Sequence, residues 1–376
     1  MVQSTHAMKI IKIEPIVVKV NHRGNWVFVR IHTDAGITGL GEASHSGDDG
    51  LLQHVLKRAN GELAGRDPFQ IEAARNRLEK KRTGWVERTA LSAVEQALWD
   101  IVGQSLKVPV HVLLGGAIRD RVRLYANINR HIENRNPEGF AEAAQMAVDE
   151  GFTAIKIAPF DELNNTDRIR SGSNAAWRSG VERIQAVRNA IGKEVEIAID
   201  CHGRMEASEA ISAAKAMEEL NILWLEEPVP DRYPEELLKV SNRVSMATAS
   251  GENLFGVEGF RDFLTQRAVD IIMPDVKHDG GIMETKLIAG AARLNQVLVA
   301  PHNPAGPVAT AASAQVVSTL TNFLILEYAW GEVEWRANLL DPPENIVGGF
   351  LVLSDRPGLG HQLNDTVLND VRIQHN

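Results

Sequence analysis

The sequence has little cysteine, no long apolar run and no basic excess, and each shortage excludes something. Cys201 is the only cysteine, so no disulfide can form within the chain, and a reducing, cytoplasmic setting is expected. No apolar run approaches the roughly 20 residues that span a bilayer. The N-terminal MVQSTHAMKI lacks the basic and apolar regions of an export signal, so neither membrane insertion nor secretion is expected. Lys and Arg number 40 against 49 Asp and Glu, a formal net charge of −9, which argues against nucleic acid or an anionic membrane as partner. A small anionic ligand stays compatible, because a bound cation and local lysines can dominate one pocket.

What is there is a chain of 376 residues, enough for a large core and for more than one ordinary domain. KIIKIEPIVVKV and NWVFVRIHTDAGITGLGEA alternate as antiparallel strands do, with a turn signal at DAGITG. Residues 51–104 carry helical periodicity, clearest in ERTALSAVEQALWDIVGQ, and GGAIRDRV near residue 118 marks a junction. Beyond it, short β-branched runs recur between helical segments: VRLYAN, TAIKIA, VEIAID, ILWLEE, SMATASG, VDIIMPD, QVLVAPH and FLILEY. Such alternation implies parallel strands with crossover helices, and eight in series imply a closed barrel. After FLILEY no strong amphipathic helix follows, so the eighth helix is expected to be replaced. The expected fold is α/β: a (β/α)7β TIM-like barrel over 121–345 and an N-terminal α+β capping domain over 1–120. A tail over 346–376 is expected to return to the capping domain.

In such barrels chemistry sits at the C-terminal ends of the strands. The second strand leaves Lys156 and then Ala158, the third Asp200 and His202, and the fourth Glu226 and Glu227. The fifth leaves Glu252, the sixth Asp275 and Lys277, the seventh His302 and the eighth Glu327. Alternate residues of a strand share a face, so Asp200 and His202 should point one way and Cys201 the other. Asp200, Glu226 and Glu252 follow one another at equal spacing, one βα unit apart. Three carboxylates at one depth repel unless neutralised, and a hard divalent cation with oxygen ligands, Mg²⁺, is the simple neutraliser. The bland alternative is that they cap helices or pair with nearby bases. Asp275 and His302 fall on neighbouring strands, where a carboxylate orients an imidazole and raises its basicity, so His302 is the candidate base. His202 by itself could be a ligand, an acid or a group supporting the ligands. Lys277 and Glu227 are assigned to structural ion pairs, and Trp85, Trp99 and Trp224 to the core.

Several separated motifs in order, LWLEEP, ASGEN, MPD followed by KHDGG, APHNP and LILEY, resemble the enolase superfamily, mandelate racemase subgroup, over essentially the whole chain. IDCHGR and APHNPAGPVATAA further resemble the D-galactonate dehydratase-like acid-sugar dehydratases, which remove water from a sugar acid to give a 2-keto-3-deoxy acid. That resemblance implies one Mg²⁺ per site on Asp200, Glu226 and Glu252, His302 with Asp275 as base, and His202 as the acid for the departing hydroxyl. It also implies that Lys156 and Glu327 polarise the substrate carboxylate, with a protonated Glu327 donating to the developing enediolate. A symmetric homo-oligomer and capping-domain loops that set specificity, near 20–26 and 43–49, are implied too. Arg23 and Arg204 are candidate substrate contacts. One position departs from the subgroup: where Lys-x-Lys is common, this chain has Lys156-Ile157-Ala158. A methyl group carries no proton, which counts against two-sided racemisation. The alternatives are a sugar-acid epimerase or racemase on the same scaffold, and a non-catalytic metal-binding sugar-acid sensor.

Overall fold

The structure, a computed structural model, describes residues 8–22, 24–79, 84–130, 132–163 and 177–373. Strands β1 (Ile10–Asn21), β2 (Gly24–Thr33) and β3 (Thr38–Glu42) form an antiparallel sheet in that order, with Val17 opposite Val27 and Val29 opposite Gly41. Both faces of this sheet are covered. Val17, Val27, Val29 and Ile31 pack against the capping helices, whereas Ile16, Val18, Trp26 and Phe28 join the core shared with the barrel. That double burial corrects the alternation expected of this strand: WVFVRI is a nearly unbroken apolar run, buried from Trp26 to Val29.

The helix Trp85–Leu106 lies directly on β3. A Cβ at Gly39 would stand 2.1 Å from Ala97 O, and one at Gly41 would stand 2.0 Å from Ala93 O, so only glycine permits this approach. The same helix grips the barrel. Gln96 Nε2 donates to Val276 O at 3.0 Å, and Glu95 accepts from the Ile282 and Met283 amides at 2.7 and 2.9 Å. Glu95 thereby satisfies free N–H groups at the start of the helix Ile282–Leu294.

Strands β4 (Arg121–Asn127), β5 (Ala154–Ile157), β6 (Glu196–Asp200), β7 (Ile222–Glu226) and β8 (Ala247–Ser250) run parallel in sequence order. They are followed by β9 (Ile271–Ile272), β10 (Leu298–Val299) and β11 (Leu326–Tyr328). β11 pairs in parallel with β4, and a bridge between Val299 and Phe323 joins the last two members, which closes an eight-stranded barrel. Helices follow each strand through β10. After β11 come only a short 3₁₀ segment (Glu334–Asn338), the antiparallel pair of β12 (Leu340–Asp341) with β15 (Gln362–Leu363), and one small hairpin between those two strands, before the helix Asp365–Val371, as the (β/α)7β expectation requires. The barrel interior alternates small and large residues. Ala154, Ala198, Ala249 and Ala300 leave room for Tyr125, Trp224 and Met273.

The tail divides between the two domains. β13 (Ile346–Val347) and β14 (Phe350–Val352) form a hairpin that pairs with the start of β4, Leu351 lying opposite Val122. From Gly358 onward the chain lies against the capping domain: Leu359 N–H donates to Asp100 Oδ1 at 2.8 Å and Ile373 N–H to Val17 O at 2.8 Å. Among the described residues, no helix is long and apolar enough to cross a membrane.

Candidate active site

The period of two along each strand places the polar residues. On β5, β6 and β7 the inward residues Ala154, Ala198 and Trp224 sit in the barrel interior, and the next inward positions are Lys156, Asp200 and Glu226. On the last three strands Met273, Ala300 and Ile325 are followed in the same way by Asp275, His302 and Glu327. β8 is out of step. Its strand ends at Ser250, and the turn at Gly251 (φ 113°) delivers Glu252 one residue later.

Ligand oxygens of Asp200, Glu226 and Glu252 all lie within 4.8 Å of one another, so the triad could hold a metal. Asp200 and Glu226 are direct partners across the β6–β7 ladder. Burial first, and then neighbouring carboxylates, pushes Glu252 well above the ordinary carboxyl range. Glu226 is pushed up to about 8, by burial against the opposing pull of Lys156. Glu252 Oε2 is buried and accepts no hydrogen bond among the described residues. A bare carboxylate oxygen facing two further acids is satisfied by a cation, and an all-oxygen donor set suits Mg²⁺. Trp224, from the barrel floor, donates its Nε1–H to Glu226 Oε2 at 3.0 Å and fixes that ligand from behind.

Lys156 is buried with its Nζ 2.8 Å from Glu226, 3.0 Å from Glu327 and 3.5 Å from Asp200. Burial opposes its charge, but these carboxylates outweigh that and raise it well above the usual lysine range. Glu327 corrects the expectation of a protonated donor. It accepts from Asn127 Nδ2 at 2.6 Å, Asn303 N–H at 2.8 Å and Lys156. Burial pushes it up, but Lys156, His302 and the Asn303 amide bring it down to about 2. A group ringed by donors is a carboxylate acceptor, and its place is to anchor Lys156.

His302 Nδ1 is 2.8 Å from Asp275 Oδ2. The carboxylate can only accept, so the shared proton resides on Nδ1, and Nε2 is the nitrogen turned to the site to take up a proton. Nε2 stands 3.4 Å from Glu252 Oε2, at the edge of the acid triad. Lys277 pairs with Asp275 at 2.5 Å, as expected, but it also lines the cavity. Burial raises the Asp275 carboxyl, and Lys277 with the His278 and His302 rings more than offsets this, holding it well below the usual range.

His202 follows the end of β6 in a left-handed conformation (φ 47°), a conformation costly for a residue with a Cβ. Its Nε2 lies 3.2 Å from Asp200 Oδ2 and its Nδ1 2.5 Å from Asp161 Oδ1. Asp200 above all, helped by Asp161, outweighs burial and pushes the ring up to about 9. Cys201 between them points into the layer outside the barrel, as the alternation requires.

A cavity of about 280 Å³ joins these groups, and Lys156, Asp200, His202 and His302 all line it. Its remaining lining includes Asn127 at the end of β4, Asn129 and Arg130 just beyond it, His45 from the capping domain, and His278. Pro304 is the one apolar residue among its described walls. The residues that were not anticipated fall into two sets. Asn127 is the next inward position after Tyr125 on β4, so the alternation that located the other strand ends also points to it. Asp161 and His278 sit on loops, where no period marks them; His45, which also lines the cavity, comes from the 43–49 loop that the resemblance implied for specificity. Arg130 reaches His45 Nε2 at 2.8 Å and Glu332 at 2.6 Å, tying capping domain to barrel.

Of the remaining expectations, two concern substrate contacts and one an ion pair. Arg204 is exposed and is not among the cavity walls. Arg23 lies outside the described residues. Glu227 has no cationic partner among the described residues; it accepts from Ser250 Oγ at 3.2 Å. Trp224 is core, as expected, and Trp99 packs at the core's edge, but Trp85 is half-buried against His278, with ring centroids 4.3 Å apart.

Comparison with known proteins matches residues 2–115 to the mandelate racemase / muconate lactonizing enzyme N-terminal domain. Residues 139–367 match the enolase C-terminal domain-like family. The chain is 34% identical to the D-xylonate dehydratase of Haloferax volcanii over 348 residues, covering 90% of this chain and 83% of the relative. It is 33% identical to the D-galactonate dehydratase of Verminephrobacter eiseniae over 352 residues, covering 91% and 90%. The crystal structure of a mandelate racemase/muconate lactonizing enzyme from Jannaschia sp. CCS1 superposes with a TM-score of 0.88 at 31% identity, covering 98% of each chain.

Proposed function

Starting from a chain that belongs to the mandelate racemase / muconate lactonizing enzyme family, with its enolase-like barrel, we propose that it is a Mg²⁺-dependent sugar-acid dehydratase. It would remove water from an aldonate to give a 2-keto-3-deoxy acid. The observation that carries this reading is an imidazole oriented by Asp275 and a second imidazole held between Asp161 and Asp200, both lining a single cavity. β6 and β10 lie four strands apart around a closed ring of eight, so His202 and His302 face each other across the barrel. The names of the relatives, dehydratases of D-xylonate and D-galactonate, agree with it. So does the nearly all-polar cavity, whose volume of about 280 Å³ suits a small polyhydroxylated acid.

Asp200, Glu226 and Glu252 would hold one Mg²⁺, which supplies Lewis-acid stabilisation of charge on the substrate carboxylate. Lys156 adds a fixed ammonium beside that carboxylate, anchored by Glu327. His302 Nε2 takes the α-proton, and Asp275 stabilises the imidazolium that results. The C–O bond to the β-hydroxyl breaks as the His202 imidazolium gives it a proton, so the leaving group departs as water. The enol that remains takes up a proton and becomes the 2-keto acid. Asp161 holds the His202 ring with its second nitrogen toward the site. Ala158 offers no second base of the Lys-x-Lys kind, which weighs against racemisation. The reading includes a cytoplasmic homo-oligomer acting on a small-molecule acid.

The test is a panel of C5 and C6 aldonates with Mg²⁺, read for 2-keto acid formation and for α-proton exchange in D₂O. His302→Asn should abolish both. His202→Asn should suppress dehydration far more than exchange. Exchange that survives in His302→Asn, or equal loss of both in His202→Asn, overturns these roles.

A further inference from the structure

One wall of the cavity takes no part in the proposed chemistry. His278 lies three residues beyond Asp275, is buried, and lines the cavity beside the base. Its ring is held from the capping domain. Nδ1 is 2.8 Å from Thr89 Oγ1, and the Thr89 hydroxyl proton is already given to Trp85 O at 2.9 Å. Thr89 Oγ1 can therefore only accept from the ring, which fixes the proton on His278 Nδ1. The indole of Trp85 lies over the imidazole at 4.3 Å and 32°, and Trp85 Nε1 is anchored to His45 O at 3.4 Å. These contacts leave the ring one orientation.

The consequence is an unused acceptor. A neutral ring protonated at Nδ1 keeps its lone pair on Nε2. Burial drives the His278 ring down first; Asp275 pulls it up, Lys277 and His302 push it down again, and it settles at about 3, so it is neutral at any physiological pH. Nε2 lies 3.9 Å from Asp275 Oδ2, outside hydrogen-bond reach, and that oxygen is itself an acceptor. Among the described residues no donor meets His278 Nε2 within hydrogen-bond distance. The ammonium of Lys277 is turned to Asp275 at 2.5 Å. An acceptor that faces a cavity without a protein partner calls for a donor from whatever fills the cavity.

We infer that His278 Nε2 accepts a hydrogen bond from one hydroxyl of the substrate's carbon chain, on the side facing the base, and so sets specificity for a polyhydroxy acid with a free hydroxyl there. The inference rests on the sugar-acid reading of the site. It assigns Thr89 and Trp85 as positioning residues, through which the capping helix fixes the tautomer. A deoxy or keto carbon at that place supplies no proton and leaves Nε2 buried and unpaired.

The test measures binding by calorimetry, with Mg²⁺ present, for an aldonate and its series of single-deoxy analogues, and kcat/KM wherever turnover occurs. Wild-type protein should disfavour one deoxy analogue by roughly ten- to a hundredfold, the effect of leaving a buried acceptor unpaired. His278→Phe, which keeps the stacking on Trp85, should bind the parent and that analogue equally, with Mg²⁺ affinity unchanged. Thr89→Val, outside the cavity, should reproduce part of the loss by freeing the tautomer. Uniform weakening of every analogue in His278→Phe would show that the ring only packs. Wild-type tolerance of every deoxy analogue would show that water satisfies Nε2, and either result overturns the inference. The wild-type series stays decisive should His278→Phe not fold. Discrimination without 2-keto acid formation would refute dehydration and leave the inference standing. Turnover without discrimination would do the reverse, and binding of no sugar acid would refute both.

Discussion

Replacing Asp275 with asparagine separates the catalytic from the structural work of one carboxylate. Asp275 accepts from the Lys277 amide at 2.8 Å, Lys277 Nζ at 2.5 Å and His302 Nδ1 at 2.8 Å, and both it and Lys277 are fully buried. An amide keeps one acceptor oxygen. If that oxygen stays with the Lys277 amide, the new Nδ2 donor faces an ammonium and an N–H. His302 then has reason to move its proton to Nε2, which removes the lone pair that takes the α-proton. In the Ser-His-Asp triad the same change lowers kcat by about 10⁴, and a loss of that order in α-proton exchange is expected here. Lys277 is left as a buried charge without its partner, which costs about 3–5 kcal/mol. The double variant Asp275→Asn/Lys277→Met removes that charge and should regain most of the stability, but none of the exchange. Urea denaturation midpoints and deuterium incorporation in D₂O read the two effects separately. Exchange within tenfold of wild type in Asp275→Asn, or exchange restored by the second substitution, would refute the dyad as base. A stability loss below about 1 kcal/mol would refute the dependence of Lys277 on Asp275.

Other outcomes follow from the same geometry. Mg²⁺ at a hundred times its Kd should stabilise the fold by about 2.7 kcal/mol, and Glu252→Gln should weaken that effect in a thermal-shift titration. Burial, against the hydrogen bonds each accepts, pushes Glu95 and Asp100 up to about 7. A carboxyl whose folded value is raised keeps its proton in the fold after the unfolded chain has lost it. Stability should therefore fall as pH climbs from the ordinary carboxyl range to about 7, and Asp100→Asn should flatten part of that slope in denaturation curves taken across this range. Gly281 has φ 99°, and a Cβ there would stand 2.1 Å from Glu95 Oε2. Gly281→Ala should destabilise by about 1–3 kcal/mol in urea and disturb the loop that carries Asp275 and His278.

The barrel was legible because its strands are buried on both faces and bounded by helices, so eight β-branched runs stand out of the sequence. The strand-end residues were legible for a related reason. A strand alternates strictly, so the residue two beyond the last inward residue must sit at the barrel mouth, and Lys156, Asp200, Glu226, Asp275, His302 and Glu327 all obey this. Asn127 obeys it too, as an uncharged residue at the end of the first barrel strand. Glu252 was found by spacing, although it reaches the site through a glycine turn rather than by alternation.

What the tertiary structure alone decided lies off the regular elements or between the domains. Asp161 meets His202 from a loop, and loops carry no period that predicts where a side chain points. Thr89 and His278 are 189 residues apart and meet because the capping helix is laid across the barrel mouth. The charge states are tertiary as well. Glu327 is an ionised carboxylate because Asn127, Asn303 and Lys156 converge on it, and no single strand supplies more than one of them. The amino-acid sequence by itself determined which residues reach the mouth of the barrel. Their orientation, tautomer and charge were decided by neighbours distant in sequence, because hydrogen bonding and burial depend on who is nearby in space.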